Sequence, residues 1–288
     1  MAECAILGFL RRDFSTMHFG KDTLYLTRVC MIHYSLPRGM RYTTLEERKQ
    51  FYISEFNLQK VAEWFKDGLN RTKFAVIMGR HTKIYPQKYK EDAATTIIID
   101  EYKNLEDLKR QILEFLPEAV YYDRNIYDEK DHKIGQELAF DLDPENITCP
   151  IHGSLADKMK RQQGLSFCEL ELQMVQREAM WLFDFLEDRF SKVRAVYSGR
   201  GFHLHVFDKQ AYMLTPKERQ EIAELVKKEG FHIDEWVTAG EMRLIRLPYS
   251  LNGLVSRIAL PLNKIELQTF SPVNDKRVLP RFLEAATF

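Results

Sequence analysis

Residues 137–143 read Glu-Leu-Ala-Phe-Asp-Leu-Asp, and the interpretation of the whole chain depends on this stretch. Successive side chains of a β-strand point to opposite faces, so the apolar residues at 138, 140 and 142 share one face. Asp141 and Asp143 share the other face, with Cα atoms about 6.5–7 Å apart. The pattern predicts a strand that packs its apolar side on a core and carries two carboxylates on its opposite side.

Two carboxylates at this spacing can both reach a pair of divalent cations about 3.5–4 Å apart, the arrangement used for in-line phosphoryl or nucleotidyl transfer. Oxygen ligands of this kind favour Mg²⁺ or Mn²⁺. Taken alone, an Asp-x-Asp pair more often marks the solvated end of a strand, here one that enters a turn at Pro144. The metal hypothesis therefore depends on what the rest of the chain supplies.

Strand-like and helix-like segments alternate on both sides of this strand. We predict further strands at 74–78, 95–99, 119–122, 193–197, 202–207, 232–237, 243–247 and 255–260. Helices are predicted from Thr44 onward and at 105–115, 169–190 and 216–229, with Thr44, Asn104 and Thr215 as N-caps. Interleaved elements of this kind predict an α/β or α+β chain built on one mixed sheet, with no linker that divides the core.

The composition excludes several classes of protein. The 288 residues carry 42 basic and 42 acidic side chains, so any polyanion site must come from local arrangement and not from overall charge. Hydrophobic residues at 45% argue against a largely disordered chain, and four scattered cysteines are too few for a disulfide scaffold. No apolar run is long enough to span a membrane, and the N-terminus, with Glu3 inside its apolar run and Arg11-Arg12 after it, is unlike a secretory signal. We therefore expect an intracellular protein with reduced thiols.

Residues 197–203 read Tyr-Ser-Gly-Arg-Gly-Phe-His and join two predicted strands. Glycines allow a backbone to approach an anion closely. Ser198, Arg200 and His203 add a hydroxyl, a guanidinium and an imidazole, which are three kinds of phosphate donor. The segment is equally consistent with an ordinary hairpin turn that bears a surface arginine.

A third polar cluster lies further along the chain. Asp234 is followed by residues 243–253, which read Arg-Leu-Ile-Arg-Leu-Pro-Tyr-Ser-Leu-Asn-Gly. Basic and apolar residues are intermixed here, so at least one arginine is expected to face a pocket, although arginines beside a strand are by default on the surface. Asn252-Gly253 indicates a turn that leads into a further strand.

Four candidate metal ligands lie in a stretch of low apolar content at 144–171. They form two pairs with a spacing of three, Cys149 with His152 and Cys168 with Glu171. The pairs look like two halves of a tetrahedral zinc site, which would supply folding energy that the segment otherwise lacks. Glutamate is an uncommon fourth ligand, and Glu169 or Asp157 could take its place. The plain alternative is two free cysteines in a loop.

Taken in order, these motifs resemble the small catalytic subunit of archaeal and eukaryotic DNA primase, and more broadly the archaeo-eukaryotic primase superfamily. The resemblance covers roughly residues 50–268 and includes the acidic strand, the Cys/His segment, a helix, the glycine-rich turn and the Arg-Leu-Ile-Arg segment. It implies a primase fold, in which a mixed sheet and flanking helices form a catalytic cleft, plus a small zinc-binding knob. It also implies an N-terminal segment of unassigned role at 1–45 and a catalytic domain at 46–288 with a zinc-binding insertion at 144–171.

The resemblance implies a role for each residue that matches a family motif. The carboxylates expected to hold two Mg²⁺ or Mn²⁺ ions and to be catalytic are Asp141, Asp143 and Asp234. The residues expected to bind the nucleotide are Ser198, Arg200, His203, Arg246 and Asn252. Asn252 stands where the family often carries histidine, so it keeps a hydrogen bond to the nucleotide and supplies no charge. The ligands expected for a structural Zn²⁺ are Cys149, His152, Cys168 and Glu171.

The implied activity is template-directed nucleotidyl transfer that makes short primers on single-stranded DNA from nucleoside triphosphates. A large regulatory subunit is the implied partner, and the implied location is cytoplasmic and nucleoid-associated in an archaeon or nuclear in a eukaryote. One alternative is a stand-alone primase-polymerase used in repair, end joining or a mobile element. Two others are a non-catalytic zinc-containing nucleic-acid-binding module, against which the presence of all three carboxylates argues, and a metal-dependent nuclease or phosphatase.

Overall fold

The computed structural model of the chain describes residues 34–284, without the side chains at 67, 68, 70 and 284. The described helices are α1 Leu45–Ser54, α2 Leu58–Phe65, α3 Leu105–Phe115, α4 Leu155–Lys160, α5 Glu169–Glu187, α6 Lys209–Tyr212, α7 Pro216–Lys228, α8 Glu235–Ala239, α9 Lys264–Thr269 and α10 Arg281–Glu284. The described strands are β1 Phe74–Ile77, β2 Ile97–Ile99, β3 Ala119–Asp123, β4 Asn125–Tyr127, β5 Lys133–Gln136, β6 Leu138–Leu142, β7 Val193–Tyr197, β8 Phe202–Val206, β9 Leu244–Arg246, β10 Leu251–Asn252, β11 Arg257–Ile258 and β12 Leu260–Leu262. Short 3₁₀ turns occupy Lys66–Arg71, Gln87–Tyr89 and Lys276–Val278. Most of the predicted N-terminal segment, including Cys4 and Cys30, lies outside the described residues.

The predicted α/β class is confirmed, and the strands pair in a way that the sequence does not reveal. Two four-stranded sheets form, in the orders β2-β1-β3-β9 and β12-β7-β8-β6, beside the two-stranded pairs β4-β5 and β10-β11. Every pairing among the described strands is antiparallel. The structure thus has two main sheets where one mixed sheet was expected. Apolar periodicity identifies a strand but not its neighbour, and β9 joins β3 across more than a hundred residues.

The apolar side of β6 packs on the long helix α5, as the alternation in residues 137–143 predicts. Leu138, Phe140 and Leu142 share one buried cluster with helix residues that include Leu172 and Val175. Each fully buried side chain of this size contributes roughly 1.5–3 kcal/mol to folding. This packing fixes the strand in orientation, and it therefore turns Asp141 and Asp143 away from α5.

Capping residues set the helix ends that the sequence predicts. Thr44 and Thr215 each form a capping box with the glutamate three residues later, and Asn104 accepts a hydrogen bond from the backbone N–H of Asp107. Pro216 occupies the first turn of α7, where its missing N–H costs no hydrogen bond.

The predicted strand at 232–237 is wrong, because a capped helix begins inside it. The Asp234 carboxylate accepts a hydrogen bond from the backbone N–H of Trp236 at 3.0 Å, and α8 follows. Gly240 ends this helix with φ +92°, a conformation that favours glycine. The cap also brings Asp234 beside β6, since its backbone N–H donates to the carbonyl of Asp141 at 2.9 Å.

The chain before α1 packs on the residues that follow it. Met40 belongs to the same buried cluster as β6, and the backbone N–H of Thr43 donates to the carbonyl of Gly253 at 2.9 Å. Arg48 on α1 is fully buried, and its guanidinium donates to the carbonyls of Met78 and Ile84 at 2.7 and 2.8 Å. Among the described residues, no helix combines the length and the apolar character needed to cross a membrane.

Candidate active site and metal cluster

The pairing of β6 with β8 brings the acidic strand and the glycine-rich turn together. In this antiparallel register Asp141 lies opposite His203, and the His203 Nε2 atom is 3.4 Å from the Asp141 Oδ1 atom. Gly201 lies in the turn beside them, where a Cβ atom would collide with the Leu142 carbonyl oxygen and the Asp143 carboxylate. A glycine is therefore required for the turn to approach the acidic strand this closely.

A cavity of about 180 Å³ opens between these residues and the first sheet. Seven of the residues predicted for metal or nucleotide binding line it, namely Asp141, Asp143, Ser198, Arg200, His203, Arg246 and Asn252. Arg246 reaches it from β9, where it pairs with Tyr121 of β3. Asp234 is not part of the lining, although its charge is close enough to raise the pKa values of Asp141 and Asp143.

The carboxylates carry more negative charge than their surroundings neutralise. Burial, followed by the charges of Asp143, Asp234 and Glu145, raises the pKa of Asp141 well above its usual range. Burial also raises the pKa of Asp143 to about 6, although Arg200 opposes the shift. The Oδ1 atoms of Asp141 and Asp143 are buried without a hydrogen-bond partner. Buried carboxylate oxygens without a hydrogen-bond donor are the arrangement that a bound divalent cation would satisfy.

Two arginines supply positive charge opposite the carboxylates. Arg200 pairs with Glu145 at 3.3 Å and lies over the ring of Phe167, with 5.5 Å to the centroid. Burial lowers the pKa of Arg200, but Glu145 and Asp143 outweigh that effect and raise it. Arg246 lies over the Tyr121 ring at 5.1 Å. The Arg200 Nε and Arg246 Nη1 atoms are buried and have no hydrogen-bond partner, so each can still donate to an anion.

The surroundings of the His203 ring favour its neutral form. Burial, then His205 and the guanidiniums of Arg246 and Arg124, lower the pKa of His203 well below its usual range. Its Nδ1 atom is buried and unpartnered. A neutral imidazole beside a carboxylate can accept or donate one hydrogen bond, depending on which ring nitrogen carries the proton.

Ser198 and Asn252 shape the glycine-rich turn. The Ser198 hydroxyl accepts a hydrogen bond from the Gly201 N–H at 3.1 Å, and the Asn252 side-chain amide donates to the Ser198 carbonyl at 3.0 Å. Gly199 has φ +99°, and a Cβ atom there would approach the Asn252 side chain to 2.7 Å. Both predicted nucleotide-binding residues thus have contacts within the protein that hold Arg200 at the cavity.

Glu145, Glu118 and His81 also line the cavity and were not predicted from the sequence. Glu145 lies beyond Pro144, where the alternation of β6 no longer applies. Glu118, with 1% of its surface exposed, accepts hydrogen bonds from the backbone N–H groups of His81 and Thr82 at 3.2 and 2.7 Å. Burial lowers the pKa of His81. No sequence motif marks His81 and Glu118, because only the folded arrangement of β1 and β3 brings them to the carboxylates.

The four candidate zinc ligands meet in one cluster. One ligand atom from each of Cys149, His152, Cys168 and Glu171 lies within 4.8 Å of all the others. The Cys149 Sγ atom is 3.4 Å from the His152 Nδ1 atom, which is 3.7 Å from Glu171 Oε2. Tetrahedral Zn²⁺ with bonds of about 2.0–2.3 Å brings its ligand atoms to this order of separation, so the donor set fits zinc.

Glu171, and not Asp157 or Glu169, completes this cluster. Its carboxylate is fully buried, with one oxygen paired to the buried Lys158 ammonium and the other accepting from the Cys168 N–H at 2.9 Å. Asp157 is instead bonded to the Ser154 hydroxyl at 2.8 Å in the capping box of α4. An outer partner such as Lys158 commonly orients a carboxylate that binds metal.

Comparison with known proteins places the chain in a family. The profile described as "DNA primase small subunit" matches residues 140–232. An "Uncharacterized DNA primase small subunit-like protein" of Archaeoglobus fulgidus is 50% identical over 268 residues, covering 87% of this chain and 94% of that protein. The "DNA primase small subunit PriS" of Pyrobaculum calidifontis is 29% identical over 217 residues, covering 58% of this chain and 67% of that protein. The same-named protein of Pyrococcus abyssi is 28% identical, and 50% of its length is covered.

One solved structure overlaps most of the chain at low similarity. It is the "Polymerase Domain from Mycobacterium tuberculosis Ligase D in complex with DNA", with a TM-score of 0.47, 14% identity and coverage of 85% of this chain and 94% of the other. The relative from Archaeoglobus fulgidus, by contrast, is similar in sequence over nearly its whole length. This chain belongs to the DNA primase small subunit family.

Proposed function

We propose that the chain is the catalytic subunit of a DNA primase, a nucleotidyltransferase that builds primers on a single-stranded DNA template. The observation that carries the proposal is the pair of unpartnered buried oxygens on Asp141 and Asp143, which face Arg200 and Arg246 across one small cavity. A site of this charge pattern suits a nucleoside triphosphate together with divalent cations. Family membership supports the same activity.

Asp141 and Asp143 would hold two Mg²⁺ or Mn²⁺ ions, with Asp234 as an additional carboxylate nearby. The ions would activate the attacking 3′-hydroxyl and stabilise the pyrophosphate that leaves. The packing of β6 on α5 fixes the direction of the Asp141 and Asp143 carboxylates. The hydrogen bond from the Asp234 N–H to the Asp141 carbonyl holds the residue that carries the third carboxylate next to the same strand. This rigidity keeps the oxygens in place without rearrangement during the reaction.

Arg200, Arg246 and His203 would bind the triphosphate. Each has a buried nitrogen without a hydrogen-bond partner, and each lines the cavity that contains the carboxylates. Positive charge fixed beforehand neutralises the charge that develops on the phosphate oxygens as the P–O bond breaks. Ser198 and Asn252 would act by holding the turn on which Arg200 is carried.

The proposed partners are a single-stranded DNA template, nucleoside triphosphates and a large regulatory subunit.

A Zn²⁺ ion held by Cys149, His152, Cys168 and Glu171 would stabilise the segment that follows the acidic strand. Phe167, next to this cluster in the chain, lies under the Arg200 guanidinium. Residues 144–171, which contain the candidate zinc ligands, therefore contact the nucleotide site directly.

The proposal is tested by primer synthesis. The purified chain is incubated with a single-stranded DNA template, labelled nucleotides and Mg²⁺ or Mn²⁺, beside the Asp141→Ala/Asp143→Ala variant. New chains made only by the intact protein would support the proposal. Extension of a supplied primer without new starts would indicate a polymerase that needs its partner to initiate. Binding of DNA without synthesis would favour the non-catalytic module, and release of hydrolysed nucleotide would favour a nuclease or phosphatase.

Replacing Arg200 with alanine is expected to weaken nucleotide binding more than template binding. The guanidinium faces the carboxylates inside the cavity, so we expect the KM for nucleotide to rise roughly tenfold or more while the Kd for single-stranded DNA changes little. Steady-state kinetics and DNA-binding titrations measure the two values. Arg177→Ala, which removes an exposed arginine on α5, is the matched control. An equal loss of both affinities would show that Arg200 contacts DNA instead.

A further inference from the structure

We propose that a second pocket, separate from the catalytic cavity, binds an unstacked nucleotide through aromatic stacking and phosphate contacts. The pocket has a volume of about 660 Å³, and no residue that lines the catalytic cavity lines it. Pockets of roughly 300–1,000 Å³ are the size that holds a small organic ligand. We call it the aromatic–basic pocket, after its characteristic residues Phe65, Phe207, Tyr212, Lys66, Arg71 and Arg194. The proposal goes beyond the proposed function, because it does not depend on catalysis.

The aromatic–basic pocket lies along the same strand as the catalytic carboxylates. Glu137, which lines it, precedes Asp141 by four residues. Residues four apart share one face of a strand and lie about 13 Å from each other. The two sites thus lie on the same side of the second sheet.

The walls of the pocket carry rings against which a base can stack. Phe65, Phe207 and Tyr212 are half-buried and line the cavity. Phe207 stacks on the buried His205 ring, with 6.2 Å between centroids and planes inclined by 20°, and the nearly buried Trp64 meets its edge at 5.3 Å. Rings held this firmly lose little freedom when a ligand stacks on them.

The rim of the pocket carries positive charge that the protein leaves unpaired. Lys66, Arg71, Lys192 and Arg194 are exposed, and in residues 34–284 none of them forms an ion pair. Arg194 instead lies over the rings of Trp64 and Phe207, at 5.8 and 5.2 Å from their centroids. Exposed cations next to aromatic rings are the combination that binds single-stranded nucleic acid, because the cations contact phosphate while the rings stack on bases.

The acidic residues of the same pocket are already engaged by other groups. The Glu137 carboxylate is bound by the Tyr122 hydroxyl at 3.1 Å and by the His205 ring at 2.6 Å. Asp123 accepts hydrogen bonds from the Tyr127 hydroxyl and the Asn125 N–H, both at 2.8 Å. The oxygens of these carboxylates are thus satisfied within the protein, and the two acidic residues are outnumbered by the five basic residues that line the pocket.

The backbone at the rim is also unusual. Lys66 has φ +51° and ψ −122°, a conformation that a residue with a side chain rarely adopts. Such positions persist where the surrounding structure enforces them and are concentrated at ligand sites. Here the conformation ends α2 at the pocket and leaves the Lys66 side chain exposed beside it.

Nucleotide binding to this pocket is tested on the full chain without metal. The Kd of a fluorescein-labelled oligothymidylate is measured by anisotropy for the parent protein, Arg194→Ala and Lys66→Ala/Arg71→Ala. We expect each variant to bind at least about fivefold more weakly, and the slope of its salt dependence to fall by about 0.7 for each phosphate that the variant no longer neutralises. The exposed Arg177→Ala is the matched control and is expected to bind as the parent does. Equal affinities for all four proteins would overturn the proposal.

A second measurement identifies the source of the nucleotide. The chain has three tryptophans, so Trp181→Phe/Trp236→Phe leaves Trp64 as the single one, beside the pocket. Quenching by adenosine 5′-monophosphate and by oligothymidylate would indicate a free-nucleotide site, whereas quenching by the oligomer alone would indicate a site for the strand. No quenching by either ligand would overturn the proposal.

Repeating both titrations in the Asp141→Ala/Asp143→Ala background separates this site from the catalytic one. The effect of Arg194→Ala is expected to be the same in that background as in the parent protein.

Discussion

Replacing Asp143 with asparagine is expected to abolish nucleotide incorporation and, at the same time, to make the protein more stable at pH 7. Both effects have one cause, the crowding of buried negative charge that a catalytic cation site requires. The substitution keeps the shape of the side chain and removes its charge. Loss of a metal-binding carboxylate is expected to lower the rate of incorporation by roughly a thousandfold.

The gain in stability follows from the pKa of Asp143. Burial raises that pKa from 3.8 to about 6, so the folded protein binds the proton more tightly than the unfolded chain does. Folding is therefore penalised as the carboxyl ionises, and the penalty is absent below about pH 4 and complete above about pH 6. A shift of this size corresponds to at most about 3 kcal/mol at pH 7. Asparagine cannot ionise and avoids the penalty.

Thermal or urea unfolding between pH 4 and 7.5, without divalent metal, measures this effect. The stability difference between Asp143→Asn and the parent protein is expected to be small near pH 4 and to grow as the pH rises to about 6. Asp92→Asn, at an exposed position, is the control and is expected to show no such trend. Mn²⁺ should raise the Tm of the parent protein and have little effect on Asp143→Asn. A variant that incorporated nucleotide at the parent rate would show that Asp143 is not a catalytic metal ligand.

Local patterns in the sequence were sufficient to predict the two elements that carry most of the candidate site. The alternation in residues 137–143 predicts which face of β6 carries Asp141 and Asp143, and the glycines at 199 and 201 indicate a tight turn. Each inference uses neighbours within a few residues. The same reasoning fails at 232–237, where one hydrogen bond from Trp236 to Asp234 begins a helix within an apolar stretch that looked like a strand.

Local patterns do not single out Arg246, which only the family resemblance places at the nucleotide, or Glu118, and long-range pairing explains both positions. Arg246 comes to the carboxylates because β9 adds to β3 at Tyr121, and Glu118 comes because β3 leads into the same cavity. Neither pairing leaves a periodic signal, since contacts between distant segments depend on the packing of the whole domain. The aromatic–basic pocket is a stronger example, because its residues come from α2 and the 3₁₀ turn after it, from β3, β4, β7 and α6, and from the residue after β8.

Removing zinc is expected to destabilise residues 144–171 and, through them, the nucleotide site. The middle of this segment has little apolar burial of its own, because Ile151 and Met159 expose 69% and 62% of their surface, whereas Ile147 and Phe167 near its ends are buried in the core beside β6. The segment also contains the ion pair of Lys158 with Glu171, and both side chains are almost fully buried. Removing charged groups from water costs free energy unless groups of opposite charge and hydrogen bonds offset that cost. A metal bound by two thiolates, an imidazole and the second oxygen of Glu171 would provide them.

Metal analysis of the purified protein, followed by melting with and without a chelator, measures this contribution. We expect one equivalent of zinc and a Tm roughly 10 °C lower after its removal, which corresponds to a loss of a few kcal/mol in a domain of this size. Cys149→Ser and Cys168→Ser should lose the metal. Glu171→Gln should bind it more weakly, whereas Glu169→Gln, at an exposed position, is the matched control and should retain it. A metal-free protein whose Tm is unchanged by the chelator would contradict the prediction.

The variants that lose zinc, Cys149→Ser and Cys168→Ser, are also expected to raise the KM for nucleotide, because residues 144–171 support Arg200. Phe167, which lies under the Arg200 guanidinium, directly precedes Cys168, and Leu165 lines the catalytic cavity. If the part that carries the zinc ligands, residues 149–171, unfolds, Arg200 loses this support on one side, while its ion pair with Glu145, which lies outside that part, remains. We therefore expect a several-fold rise in KM for Cys168→Ser below its Tm, where the two sheets stay folded. An unchanged KM in a protein shown to lack zinc would separate the metal cluster from the nucleotide site and limit its role to stability.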